Sequence, residues 1–301
     1  MSNYKTVFFT LGILLIILGV AMMVPVVFQL IYNEFDSTFI TSGIITITFG
    51  ILFFLSNIDH LKLINTQQAF LLTALSWLCI ATFGSLPFFF SQLDLSITDS
   101  FFESMSGITT TGATILNNIE SSPKGILMWR SMLQWLGGIG VILMAITLMP
   151  IMNIGGMQLL KISAYDTSEK ILPKSKEISK TLITVYISLT FLCALFYKIF
   201  GMNTFDSLTH SMTTIATGGF SNYDQSIGYF NNAYIEIVSI IFILLGSIPF
   251  ILYIKFISDD KKIIFKDEQV KLFFKLTLIS ILVLFIYLII VNKSIFEIHL
   301  R

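Results

Sequence analysis

The chain has 301 residues and no net charge, with 18 Lys and Arg against 18 Asp and Glu; 55% of residues are hydrophobic and only 12% charged, where soluble domains carry about a quarter. With a mean hydropathy of +0.85, these figures exclude a soluble globular domain and leave no basic excess for nucleic acid. They point to a polytopic protein of the lipid bilayer.

Seven windows free of Asp, Glu, Lys and Arg follow in chain order: 7–31, 37–58, 63–93, 131–160, 181–197, 237–254 and 276–292. About 20 apolar residues span a bilayer, so each window predicts a transmembrane helix. The first exceeds the apolar core of a signal peptide and lacks a small-residue cleavage site, so it reads as a retained helix. Cys79 and Cys193 lie inside apolar segments and read as packed thiols, with a disulfide or metal site as the alternative.

The positive charges orient the windows. Lys5 precedes the first and Lys62 follows the second. Lys161, Lys170, Lys174, Lys176 and Lys180 follow the fourth, and Lys255, Lys261, Lys262, Lys266, Lys271 and Lys275 follow the sixth. All thirteen fall on one side, while Lys124, Lys198, Lys293 and Arg301 fall on the other, with Arg130 just inside the outer end of the fourth window. Cytoplasmic loops hold the excess of Lys and Arg, so the N-terminus is expected in the cytoplasm. Segments 98–115 and 204–220 are also moderately apolar, but a crossing by either would carry a lysine-rich loop outside. Both are therefore expected to enter and leave on the outer side. Membranes tolerate such backbone only where protein buries it or it lines a water-filled cavity, and two re-entrant segments on one face suggest a pore.

The two segments repeat each other. Offset by 107 positions, residues 98–112 and 205–219 agree at seven of fifteen places: Asp99/Asp206, Ser100/Ser207, Ser104/Ser211, Met105/Met212, Ile108/Ile215, Thr110/Thr217 and Gly112/Gly219. Each copy lies between two long windows, so the repeating unit is helix, re-entrant segment, helix. An Asp-Ser start suits a helix N-cap, followed by two to three turns and a break at a Thr/Gly strip. A half-helix descending from the outer surface points its C-terminal dipole end, about half a negative charge, at the membrane centre, where it favours a cation. The strips 109–113 and 216–220 can aim backbone carbonyls and Thr oxygens at a dehydrated ion. A lone Thr-Thr-Thr-Gly is ordinary where membrane helices pack; its recurrence at equivalent places favours the ion-facing reading.

Four stretches carry a family resemblance: Phe-Phe-Glu-Ser-Met-Ser-Gly-Ile-Thr-Thr-Thr-Gly-Ala-Thr (101–114), Gln-Trp-Leu-Gly-Gly-Ile-Gly-Val (134–141), Gly-Gly-Met-Gln-Leu (155–159) and Ala-Thr-Gly-Gly-Phe-Ser (216–221). They resemble the Trk/Ktr family of potassium-uptake membrane subunits, the Trk type in particular, because two windows precede the first repeat. The resemblance implies an all-α integral membrane protein of tandem helix–pore loop–helix repeats, potassium-channel-like, preceded by two extra transmembrane helices. Mapped here, 1–62 is the two-helix segment, 63–160 the first repeat, 161–180 a cytoplasmic loop, 181–257 the second repeat, and 258–301 a cytoplasmic loop with the first helix of a third. It implies passive potassium uptake through a carbonyl-lined filter, with Gly112 and Gly219 as the key glycines and Thr110, Thr111, Thr217 and Gly218 beside them. Members with serine at the position of Gly112 pass sodium, so glycine there favours potassium. Potassium is then the substrate, and no tightly bound cofactor is expected. Also implied are a place in the bacterial inner membrane and a cytosolic nucleotide-binding regulatory ring docking on the face of residues 161–180.

The chain departs from the family's four repeats. Phe296-Glu297 loosely matches Phe205-Asp206, so the chain stops where a third pore helix would begin, and two loops do not close a four-sided filter. The expectation is the N-terminal part of such a subunit, with the remaining repeats in another chain, or a homodimer pooling four loops. The family's gating loop and pore arginine belong to later repeats, and no residue here takes those roles.

The remaining polar residues have two readings each. Asp94, Asp99, Glu103, Glu120, Asp206 and Asp224 form an acidic vestibule that concentrates cations or are ordinary loop carboxylates, with Asp99 and Asp206 as helix caps. Arg130 and Glu236 snorkel to the interface or act as functional charges. His60, His210 and His299 lie too far apart for metal-ligand spacing. Gly137-Gly138-Ile139-Gly140 is a close-packing face or a hinge, and Trp77, Trp129 and Trp135 are interfacial anchors or core. No phosphate-binding loop, nucleophile with a base, or paired carboxylates on one helix suggests an enzyme. Two alternatives stand beside a conducting subunit: a non-conducting regulatory subunit that assembles with other chains, and a cation-coupled secondary transporter.

Overall fold

A computed structural model describes residues 4–58, 65–152, 168–258 and 262–299, and every regular element among them is helical. The first span is α1 (Lys5–Ala21) and α2 (Met23–Ile31), broken at Met22 because Pro25 has no N–H to continue the ladder. Helix α3 (Thr38–Leu55) returns beside α1, with Phe8 on Phe53 and Phe9 on Phe54. Asn65 opens α4 (Thr66–Gly84) with a capping box in which its side chain and that of Gln68 each accept from the other's backbone N–H. The short α5 (Leu86–Phe90) follows, with Pro87 in its first turn. Next come α6 (Ile97–Ile108), α7 (Lys124–Met152), α8 (Ser168–Ile199), α9 (Thr204–Ile215) and α10 (Ala233–Ser247). Residues up to Ser247 form one compact unit. A second, Ile248–Arg301, contains α11 (Phe250–Ser258), α12 (Ile263–Lys266) and α13 (Glu268–His299).

Among the described residues, five stretches, Lys5–Ile31, Thr38–Leu55, Thr66–Phe90, Glu177–Ile199 and Glu268–Val291, are long and apolar enough to cross a membrane. The window 237–254 is not one helix: α10 stops at Ser247 and α11 starts at Phe250. Pro249 is the cause, since it lacks an N–H and disfavours helical angles in the residue before it. The window 131–160 follows α7 to Met152, and its remaining residues lie outside those described.

Two segments leave and return at neighbouring helix ends. The Trp129 indole N–H donates to the Gly84 carbonyl at 2.9 Å, which holds the end of α4 beside the start of α7. The Asn232 amide donates to the Phe200 carbonyl at 3.0 Å, which does the same for α8 and α10. Between each pair, a half-helix goes in and a non-helical strip comes back. The core around the first half-helix gathers Phe88, Ile108, Leu127, Trp129 and Leu133, all buried. Lipid is as apolar as these side chains, so close packing rather than water exclusion holds them. Trp129 is fully buried, and Trp135 donates to the Thr190 hydroxyl at 3.1 Å; both are packing residues. Cys193 is buried and Cys79 half-buried, both free thiols, as the sequence suggests.

Candidate ion-binding loops

The residue that caps each half-helix lies three positions before the aspartate read as its cap. Ser96 caps α6 by accepting from the Asp99 N–H at 3.1 Å, and Asn203 caps α9 by accepting from the Asp206 N–H at 2.8 Å. Both caps have extended backbone, and they too are 107 positions apart. The assignment of Asp99 and Asp206 as caps is therefore corrected: they stand at the third helical position, where a carboxylate still suits the dipole. Asp99 accepts from the Ser96 hydroxyl. Asp206 is buried and accepts from Asn222 and from the Tyr223 hydroxyl, both at 2.7 Å, so it anchors the returning strip. Burial, and then that hydrogen bond to Asp206, pushes the Tyr223 hydroxyl above its ordinary pKa and keeps it a donor.

The two helices also end alike. The Thr110 N–H donates to the Gly107 carbonyl and Thr111 to Ser106; the Thr217 N–H donates to Thr214 and Gly218 to Thr213. This is the Schellman pattern, which places its left-handed residue at Thr110 (φ 55°) and Thr217 (φ 52°). Glycine normally fills that position. A β-branched residue there is a true outlier, costing about 1–2 kcal/mol, and two equivalent outliers make this backbone a candidate for function. Gly112 (φ 79°) and Gly219 (φ 82°) then turn left-handed again. Such alternation of handedness brings successive carbonyls onto one side, where an extended strand would point them to opposite sides.

The second helix of each unit receives the half-helix at the same depth. A Cβ on Gly137 would lie 1.9 Å from the Ile108 carbonyl oxygen, and one on Gly246 would lie 2.7 Å from that of Ile215. Ile108 and Ile215 are repeat equivalents, and both glycines sit about 20 Å along their helices. Each half-helix thus ends well inside the helical bundle, with no basic residue in its last turn to oppose its dipole.

The structure brings the loops together at Gly112, where a Cβ would fall 2.0 Å from the Gly218 carbonyl oxygen. Gly218 is buried, whereas Thr111, Thr217 and Gly219 are exposed. The Thr111 hydroxyl lies 2.8 Å from that of Thr109. A cavity of about 220 Å³ borders the second loop, lined in part by His210, Thr214, Thr217, Gly219, Ser239 and Ile243; residues 110–112 do not line it.

Several residues around the loops were misread or missed in sequence. Arg130 does not snorkel: it is 1% exposed and its Nε donates to Glu103 at 2.8 Å, with Glu103 fully buried. A charge so deep requires a partner, and this pairing removes Glu103 from any vestibule. Glu103 also accepts from the Thr114 hydroxyl and the Ile115 N–H, so it pins the returning strip to the half-helix. In the second unit His210 replaces Glu103 and Ser221 replaces Thr114, and their side chains meet at 3.0 Å. The 107-residue offset, extended past position 112, was the signal that could have found both pairs. Of the remaining carboxylates, Asp224 accepts from the Ile119 N–H and Glu120 from the Asp224 N–H, which ties the two outer strips together.

A family model described as TrkH, a cation transport protein, matches residues 36–297. The Trk system potassium uptake protein TrkI of Halomonas elongata is 37% identical over 279 residues, covering 92% of this chain and 57% of that protein. The Trk system potassium uptake protein TrkH of Escherichia coli K12 is 35% identical over 311 residues, covering 98% of this chain and 64% of that one. The crystal structure of the potassium transporter TrkH from Vibrio parahaemolyticus aligns with a TM-score of 0.84 at 33% identity, covering 94% of this chain and 58% of that one. The chain thus spans about three fifths of the length of the relatives it matches.

Proposed function

The chain belongs to the TrkH family of cation transport proteins, and from that premise we propose that it supplies two loops of a potassium-selective filter for passive uptake across the bacterial inner membrane. Family membership makes it a membrane transport protein and not an enzyme. The observation that carries the reading is the duplicated backbone: left-handed Thr110 and Gly112 in one loop, left-handed Thr217 and Gly219 in the other, each following a half-helix that ends inside the bundle. Carbonyls of 110–112 and 217–219 face the ion, and two helix dipoles add about half a negative charge each. Residues 63–160 and 181–257 are the two helix–pore loop–helix units, and the lysine bias places the N-terminus in the cytoplasm. A cytosolic nucleotide-binding ring docks on the face of residues 161–180, of which 161–167 lie outside the described residues.

Rubidium uptake by cells lacking their own potassium-uptake systems tests the reading. Expression of this chain is expected to restore uptake, and Gly112→Ser or Gly219→Ser to abolish it. No uptake above the empty vector, with the protein present in the membrane, refutes the reading.

A further inference from the structure

Two polar side chains of α7 meet the seam between the loops. Arg130 and Gln134 stand one turn apart, so they share a helix face, and they are 1% and 0% exposed. Arg130 reaches both loops: Nη2 donates to the Thr114 hydroxyl at 3.1 Å, and Nη1 donates to the Ser221 carbonyl at 2.8 Å. Its guanidinium lies over the Phe220 ring at 4.2 Å. Gln134 acts one turn further along. Its Oε1 accepts from the Phe220 N–H at 3.1 Å, which settles the amide orientation, since a flipped amide would oppose two N–H groups. The Nε2 is buried with no hydrogen-bond partner among the described residues. It would lie 3.6 Å from a Cβ on Gly112 and 2.7 Å from one on Gly218, at the place where the loops touch.

An unpaired buried amide is unfavourable, and local packing of an apolar side chain would avoid it. We propose that Arg130 and Gln134 are positioning residues for ion selection: from α7 they clamp the second loop to the first and set the spacing at which both face the ion. This rests on the filter reading above. Carbonyl filters select through the number and placement of their oxygens, so a clamp that moves one loop relative to the other changes which ion fits. Neither side chain is itself a ligand of the ion.

Rubidium and sodium uptake by the full chain, normalised to protein in the membrane, tests the clamp. Gln134→Leu orphans the Phe220 N–H, and Arg130→Lys keeps the charge but loses the fork. Each is expected to raise the sodium-to-rubidium ratio, Gln134→Leu about tenfold. A proportional fall in both fluxes, with the ratio unchanged, would show a merely structural role and overturn the proposal. If the unsubstituted chain carries no flux, the filter reading fails for the chain alone, and hydrogen–deuterium exchange on the purified protein still decides the clamp. Thr111 and Ile115 in the first loop bond to Ser106 and Glu103, not to Gln134. Faster exchange in both 109–115 and 216–221 on Gln134→Leu supports the clamp; faster exchange confined to 216–221 sinks it.

Discussion

Gly112 and Gly219 are equivalent in the repeat and share a left-handed φ, yet their surroundings differ. A Cβ on Gly112 meets the Gly218 carbonyl oxygen, whereas one on Gly219 meets nothing within 4 Å. Gly219→Ala is therefore expected to fold with a loss of only about 1–2 kcal/mol, the cost of a left-handed side chain. Gly112→Ala, which must also displace backbone, should lower the apparent melting temperature in detergent by clearly more. The Arg130–Glu103 pair supports a second prediction at this scale. Glu103→Leu strands a buried guanidinium and should cost about 3–5 kcal/mol, while adding Arg130→Met to it restores much of that loss, because an absent pair is less harmful than half of one. Melting of the single and double variants measures the recovery. Thr110, Gly112, Thr217 and Gly219 were legible in the sequence because repetition marks them. The pair was not, because 27 positions separate its members and the distance of Arg130 from a helix end says nothing about what packs beside it.

Helix α7 shows how an element converts small residues into depth. Gly137 presses on the end of the first half-helix and Gly138 on Tyr186 and Ala216, but Gly140 has open space around it among the described residues. Gly137→Ala should prevent the half-helix from seating and sharply reduce folded protein, as read by monodisperse yield in detergent. Gly140→Ala should be neutral or stabilise by about 0.5–1 kcal/mol, the helix-propensity difference. The run thus serves close packing at its first two glycines. Hydropathy located the helices well because an apolar run must be helical in lipid. It missed the interruption at Pro249, since proline counts as no charge in a window. It also could not place the caps: Asp-Ser and Ser/Asn-x-x-Asp are both valid starts, and only the extended backbone of Ser96 and Asn203 separates them.

At the scale of the molecule, the proposed topology rests on the lysines and the candidate site on contacts. A cysteine at Ser121 or Gln225 is expected to react with a membrane-impermeant maleimide added outside intact cells. One at Lys62 or Lys174 should react only after permeabilisation, and the reverse pattern would invert the proposed orientation. Length, charge-free windows, lysine bias and the 107-residue repeat are properties of the chain in one dimension. They were enough to determine the helical membrane class and which residues lie on the two half-helices and the strips that follow them. How the loops meet was decided only in three dimensions. Gly112 against Gly218, Arg130 between Thr114 and Ser221, and Gln134 beneath Phe220 join residues up to 106 positions apart. Hydropathy and periodicity report on a residue's neighbours along its own segment, whereas a buried ion pair or an inter-loop hydrogen bond forms only when packing removes the competing solvent and brings distant partners within reach.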